Sequence, residues 1–135
     1  MGECLCTCGD ERQNVLVFAC SGASNLGQIT NQSALRLMAE GFGKMFCLAG
    51  IGGGVESFIN SAKLAEEVVA LDGCAVGCAL ATLRRQGIEP TYYLQVSQLN
   101  IPRKPEPEVL PEEVEKVVTA VKKAWGEKKD GNLPG

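Results

Sequence analysis

The sequence contains no histidine. That absence removes Cys/His nucleophile pairs, histidine-ligated metals and every imidazole base. Aromatic residues make up only 5% of 135 residues, too few for the stacking platforms that hold unpaired bases. Basic charge is not in excess either. The 13 Lys and Arg against 16 Asp and Glu leave a net charge of −3, without the electrostatic footprint of a nucleic-acid binder. No apolar run approaches the ~20 residues of a membrane span. The opening Met1-Gly2-Glu3-Cys4 lacks the basic and apolar regions of a secretory leader, and Cys6 stands where a myristoylation signal wants Ser or Thr. These readings predict a cytoplasmic protein that partners neither nucleic acid nor membrane.

What the chain has in abundance is cysteine: Cys4, Cys6, Cys8, Cys20, Cys47, Cys74 and Cys78. A domain of this size buries enough apolar surface to fold without covalent staples. In a reducing compartment such a set reads as metal binding or thiol chemistry before disulfides.

The apolar pattern predicts a small three-layer α/β fold. Val15-Leu16-Val17-Phe18-Ala19-Cys20 is a continuous apolar run, the mark of a strand buried on both faces. Ser24 or Asn25 can cap the helix that follows, whose apolar face is Leu26, Ile29, Ser33, Leu37 and Met38. The cycle repeats with a strand over 45–49, a glycine-rich turn over 50–54 and a helix carrying Val55, Phe58, Ile59, Ala62 and Ala65. A third strand over 68–71, a helix with Val76, Ala79, Leu80 and Leu83, and a fourth strand over 91–96 complete the series. A proline-rich connector over 102–111 leads to a last helix opened by Pro111, Glu112 and Glu113. Strands alternating with helices give a parallel sheet with right-handed crossovers, helices on both faces, and a strand order of 2-1-3-4. Residues 1–13 read as a cysteine-rich arm, 14–127 as one domain and 128–135 as a frayed tail.

In that order the switch point falls between strands 1 and 3, and ligands bind outside the carboxyl ends there. Cys20 ends strand 1 and Cys74 follows strand 3, on neighbouring strands roughly 5 Å apart. Cys78 lies four residues on, which on one helix face brings it beside Cys74. Thiolates near helix starts are stabilised, which suits bound metal or a reactive cysteine. Cys47 aligns three residues below the end of its strand and so reads by geometry as a core residue. Asp72, in Asp72-Gly73-Cys74, reads as a turn or cap residue, with a sharper role as proton acceptor beside Cys74. The loop from Cys20 to Gly27 lacks the arginine of a cysteine phosphatase, and Gly50 to Gly54 lacks the Gly-Lys-Ser/Thr of a P-loop.

Several motifs in order resemble the DGC-domain family, named for its Asp-Gly-Cys motif. They are Cys20-Ser21-Gly22 with Asn25-Leu26-Gly27, Lys44 to Gly52, and Leu71-Asp72-Gly73-Cys74 with Cys78. The Cys4-Leu5-Cys6-Thr7-Cys8 arm is also similar to that of some members. The resemblance implies zinc held by four cysteines, which map to Cys20, Cys47, Cys74 and Cys78. It thereby makes Cys47 a ligand where geometry makes it core. It implies no reaction.

Three functions follow from these residues. The first is zinc binding at a thiolate cluster on the carboxyl edge of the sheet, closed and structural if Cys47 joins and open if it does not. The second is thiol redox or sulfur transfer, with Cys20 as nucleophile, Cys74 or Cys78 as resolving thiol, and Asp72 as a candidate acid–base group. The third is metal trafficking through the arm of Cys4, Cys6 and Cys8.

Overall fold

A computed structural model describes residues 14–129. Its sheet contains β1 (Val15–Ala19), β2 (Lys44–Met45), β3 (Glu67–Asp72) and β4 (Tyr92–Gln95) in the order β2-β1-β3-β4. All the pairs are parallel, with Ala19 opposite Leu71 and Asp72 opposite Gln95. The helices are α1 (Asn25–Ala39), α2 (Leu48–Gly52), α3 (Glu56–Leu64), α4 (Cys78–Arg85) and α5 (Pro111–Lys129). The expected order and the α/β class are those observed.

Alternation along the strands divides the core into two layers. Val15, Val17, Ala19, Val69 and Leu71 pack with Leu26, Ile29 and Leu37 of α1 and with Val114, Val117, Val118 and Val121 of α5. Leu16, Phe18, Val68 and Ala70 pack on the opposite face with Ile51, Ala62 and Leu83, from α2, α3 and α4. Every residue of β1 is buried, because helices cover both faces of the sheet. The Ser24 side chain caps α1 by accepting the Gly27 N–H, and the Glu113 carboxylate accepts the Leu110 N–H where α5 begins. Among the described residues no helix is long and apolar enough to cross a membrane.

The second strand departs from expectation. It ends at Met45, and Leu48–Gly52 is a short helix. The reason is local: Cys47 Sγ accepts the Gly50 N–H at 3.3 Å and caps that turn. Gly50 is required by packing, since a Cβ there would stand 2.1 Å from Cδ2 of Phe58. The run Phe46-Cys47-Leu48-Ala49 is too short for periodicity to separate strand from helix. Two further ends also differ. Asp72 closes β3 instead of opening the turn, and the fourth strand stops at Gln95, where Val96–Leu99 forms a 3₁₀ turn.

The proline-rich connector lies across the start of α1. Buried Asn25 holds it with both ends of its amide: Nδ2 donates to Pro102 O at 2.9 Å, and Oδ1 accepts the Lys104 N–H at 2.7 Å. The arm of Cys4, Cys6 and Cys8 and residues 130–135 lie outside the described residues.

Candidate functional site

Cys20 directly follows β1 and extends its pairing, with its N–H donating to Leu71 O at 3.0 Å. Its Sγ points across to the end of β3 and accepts the Gly73 N–H at 3.2 Å. The first turn of α1 packs against that same point. A Cβ on Gly73 would stand 2.9 Å from the Leu26 carbonyl carbon, so the glycine of Asp72-Gly73-Cys74 lets the helix approach the turn. Burial pushes the Cys20 thiol pKa up. The Gly73 N–H opposes this, the Asp72 carboxylate adds to it, the Thr30 hydroxyl opposes it, and Cys78 adds the smallest contribution.

Asp72 is 1% exposed and fully engaged. Its Oδ1 accepts the Ala79 N–H at 2.7 Å. Its Oδ2 accepts the Leu80 N–H at 3.0 Å and the Tyr93 hydroxyl at 2.9 Å. Helix α4 has no side-chain cap of its own, because Gly77 occupies the cap position with φ +69°. Asp72 provides that cap from the end of the strand. The carboxylate therefore fixes the start of α4.

The helix-face relation expected of Cys74 and Cys78 is not the one observed. Only Cys78 is helical; Cys74 lies in the preceding turn, which is closed by the Gly77 N–H donating to Cys74 O at 3.1 Å. The two are therefore not successive residues on one helix face. Cys74 packs, half-buried, against the α1/α5 layer, whereas Cys78 is exposed at the head of α4. Cys47 is exposed at the cap of α2, not buried in the core. It lines a cavity of about 420 Å³ with Met45, Phe46, Leu48, Asn31 and Thr82 among its walls.

Tyr93 is the site residue that sequence reasoning missed. Its pKa is pushed well above the ordinary phenol range, first by burial and then by its hydrogen bond to Asp72 and the charges of Asp72, Cys20 and Cys74. The register that sets Ala70 opposite Tyr93 is the signal, because it puts Tyr93 diagonally below Asp72 on the neighbouring strand.

Residues 16–121, more than half of the chain, match the DGC domain. The chain belongs to the DGC-domain family. It is also similar to the Anaerobic and virulence modulator AnvM of Pseudomonas aeruginosa, at 41% identity over 83 residues, which is 62% of this chain and 63% of that protein. The match thus spans less than two thirds of that relative's length. No solved structure matches the chain. The DGC turn of the family is, in this chain, the Asp72 clasp with Cys74 just beyond it.

Zinc on four thiolates, the expectation carried by the family resemblance, meets this placement only in part. The donor chemistry suits it: four cysteines lie near one end of the sheet with no histidine in the chain. Yet among the described residues no three Cys, Asp or Glu side chains are placed to share one ion. The described thiols do not assemble a closed tetrahedral site.

Proposed function

We propose that this DGC-domain protein binds a thiophilic metal cation, zinc in the first instance, with Cys20 and Cys74 in the crevice between β1 and β3 at the centre of the site. The observation that carries this reading is the sign of the charges there. Asp72 and Cys78 act on Cys20, and Asp72, Cys20 and Cys74 act on Tyr93. The hydrogen-bond partners found for Cys20 Sγ and the Asp72 carboxylate are backbone N–H groups and the Thr30 and Tyr93 hydroxyls, with no lysine or arginine. An edge rich in thiols and negative charge attracts a soft cation, and a bound cation turns thiols into thiolate ligands.

The same facts weigh against Cys20 as a redox or sulfur-transfer nucleophile. Burial first, and the Asp72 carboxylate after it, raise the Cys20 pKa and so lower its share of thiolate, the reactive species.

Elemental analysis of protein purified without added metal, combined with thiol counting, tests the proposal. Near-stoichiometric zinc that is lost in Cys74→Ser is the expected result. Metal-free protein with a rapidly alkylated Cys20 at neutral pH overturns it in favour of thiol chemistry.

A further inference from the structure

A cavity of about 420 Å³ opens over the carboxyl ends of β1 and β2, whose last residues, Ala19 and Met45, stand in its wall. Asn31 of α1 lines it from one layer, and Leu48 of α2 and Thr82 of α4 line it from the other. Its volume falls within the ~300–1,000 Å³ of small-molecule sites, and its place outside the strand ends is where α/β sheets bind ligands. It is separate from the thiol crevice. Ala19 and Ser21 line it, but Cys20 between them does not, because its Sγ turns to the Gly73 N–H. Asp72, Cys74 and Cys78 are not in its wall either.

No residue lining the cavity carries a charge. An ionised ligand would give up water there and meet no counter-charge. Met45, Phe46 and Leu48 supply apolar surface. The Phe46 ring is fixed by its neighbours, edge-on to Phe18 with centroids 5.8 Å apart and 5.4 Å from Phe58. It is therefore a rigid face for another ring, beside the adaptable thioether of Met45.

Most polar side chains of the wall are already engaged. The Thr82 hydroxyl donates to Cys78 O at 2.7 Å, Cys47 Sγ accepts the Gly50 N–H at 3.3 Å, and Ser21 Oγ accepts from Gln28 Nε2 at 3.4 Å. The half-buried Asn31 side-chain amide is hydrogen-bonded to no described residue. That amide offers a carbonyl acceptor and an N–H donor side by side. A group presenting the same two atoms in the opposite sense, a cis-amide, pairs with both at once.

We infer that this cavity binds an uncharged small molecule of the lactam class, with an apolar ring body against Phe46, Met45 and Leu48 and its cis-amide edge on Asn31. No thiol holds the ligand, so the site goes beyond the metal reading and does not rest on it.

The test is titration of the ¹⁵N-labelled full chain with oxindole, a neutral bicyclic lactam, followed by amide chemical shifts. Saturable shifts are expected to concentrate at Asn31, Phe46, Leu48 and Ala49. Asn31→Ala is expected to weaken oxindole about tenfold, the share of a hydrogen-bonded edge, and to leave the affinity for indane, the same frame without the amide, unchanged. Alanine is the strongest helix former, so near-UV circular dichroism of that variant is expected to match the unsubstituted protein. Indole-2-carboxylate, an anion on a similar frame, is expected to bind at least tenfold more weakly than oxindole. A second variant, Ala49→Trp, fills the cavity from an exposed position of α2 and is expected to abolish binding of both oxindole and indane. Absence of saturable oxindole shifts, an unchanged oxindole affinity in Asn31→Ala, or tighter binding of the carboxylate overturns the inference. The chelator EDTA is expected to leave oxindole affinity unchanged; loss of binding in EDTA would put the ligand on a metal and overturn it too. Zinc content of the chain bears on the earlier proposal alone, so the two fail separately.

Discussion

The Tyr93 hydroxyl donates to Asp72 Oδ2 across 2.9 Å, joining the end of β3 to its neighbour β4. It is the third hydrogen bond on a carboxylate whose other two partners are the first amides of α4. A buried carboxylate is tolerated because each oxygen is satisfied. The clasp ties β3, β4 and α4 together at the point where the chain turns toward Cys74.

Asp72→Ala removes an acceptor from two amides and a hydroxyl in a buried setting. The expected cost is roughly 3 kcal/mol, since hydrogen bonds to charged groups contribute more than neutral ones and the abandoned donors stay buried. Tyr93→Phe removes one bond and costs about 1 kcal/mol. Urea unfolding of both variants checks the order. Equal effects would mean that the phenol, not the helix cap, dominates the clasp.

Cys20 in metal-free protein is expected to alkylate more slowly at pH 7 than the exposed Cys47 and Cys78. Burial and the Asp72 charge raise its pKa, so the thiolate fraction at neutral pH falls and the rate climbs only as pH passes above the ordinary thiol range. Asp72→Asn removes one of the two upward pushes from charge and shifts that midpoint down. Mass spectrometry of iodoacetamide-labelled peptides across pH 7–10 measures it. A Cys20 rate equal to that of Cys78 at every pH would refute the burial argument.

The strand order was legible because β1 and residues 68–71 of β3 are unbroken apolar runs that only a sheet covered on both faces explains. The switch point and the positions of Cys20 and Cys74 follow from that order. Cys47 was not legible by geometry. Its strand was read as running on to residue 49 although it ends at Met45, and the cap it makes with Gly50 is a local bond that composition does not reveal. Asn25 was read as a cap candidate, but Ser24 takes that role. The amide of Asn25 is spent on residues 77 and 79 positions away, a contact that no local pattern encodes. Tyr93 needed the register of β4, which is set only once β3 is placed.

Gly73→Ala places a methyl 2.9–3.0 Å from the Leu26 carbonyl carbon, Cβ and carbonyl oxygen. Two of these are backbone atoms of a buried helix start and cannot swing aside, so the expected loss is about 2 kcal/mol, in the range of core overpacking. Gly22→Ala, in the same site loop, meets nothing within 4 Å and is expected to change stability by less than about 0.5 kcal/mol. Thermal melts of the two variants compare them. A silent Gly73→Ala would show that α1 does not rest on the DGC turn.

Asn25→Ala leaves the Lys104 N–H without its acceptor and the Pro102 carbonyl without its donor. The helix start keeps its Ser24 cap, so the loss falls on the connector and not on α1. Pro102, Arg103 and the segment 105–108 are already exposed and contribute little packing to hold the connector down. Once the amide clamp is gone, local opening needs less free energy than global unfolding, and proteolysis reports that difference. Trypsin is therefore expected to cut between Arg103 and Lys104 at least tenfold faster in Asn25→Ala than in the unsubstituted protein, while the next bond, Lys104–Pro105, stays resistant. The Tm is expected to move by only a few degrees, because the two hydrogen bonds together contribute about 2 kcal/mol. Cleavage at an unchanged rate would place the hold on the connector elsewhere, in the packing of Ile101 and Val109 against the α1/α5 layer.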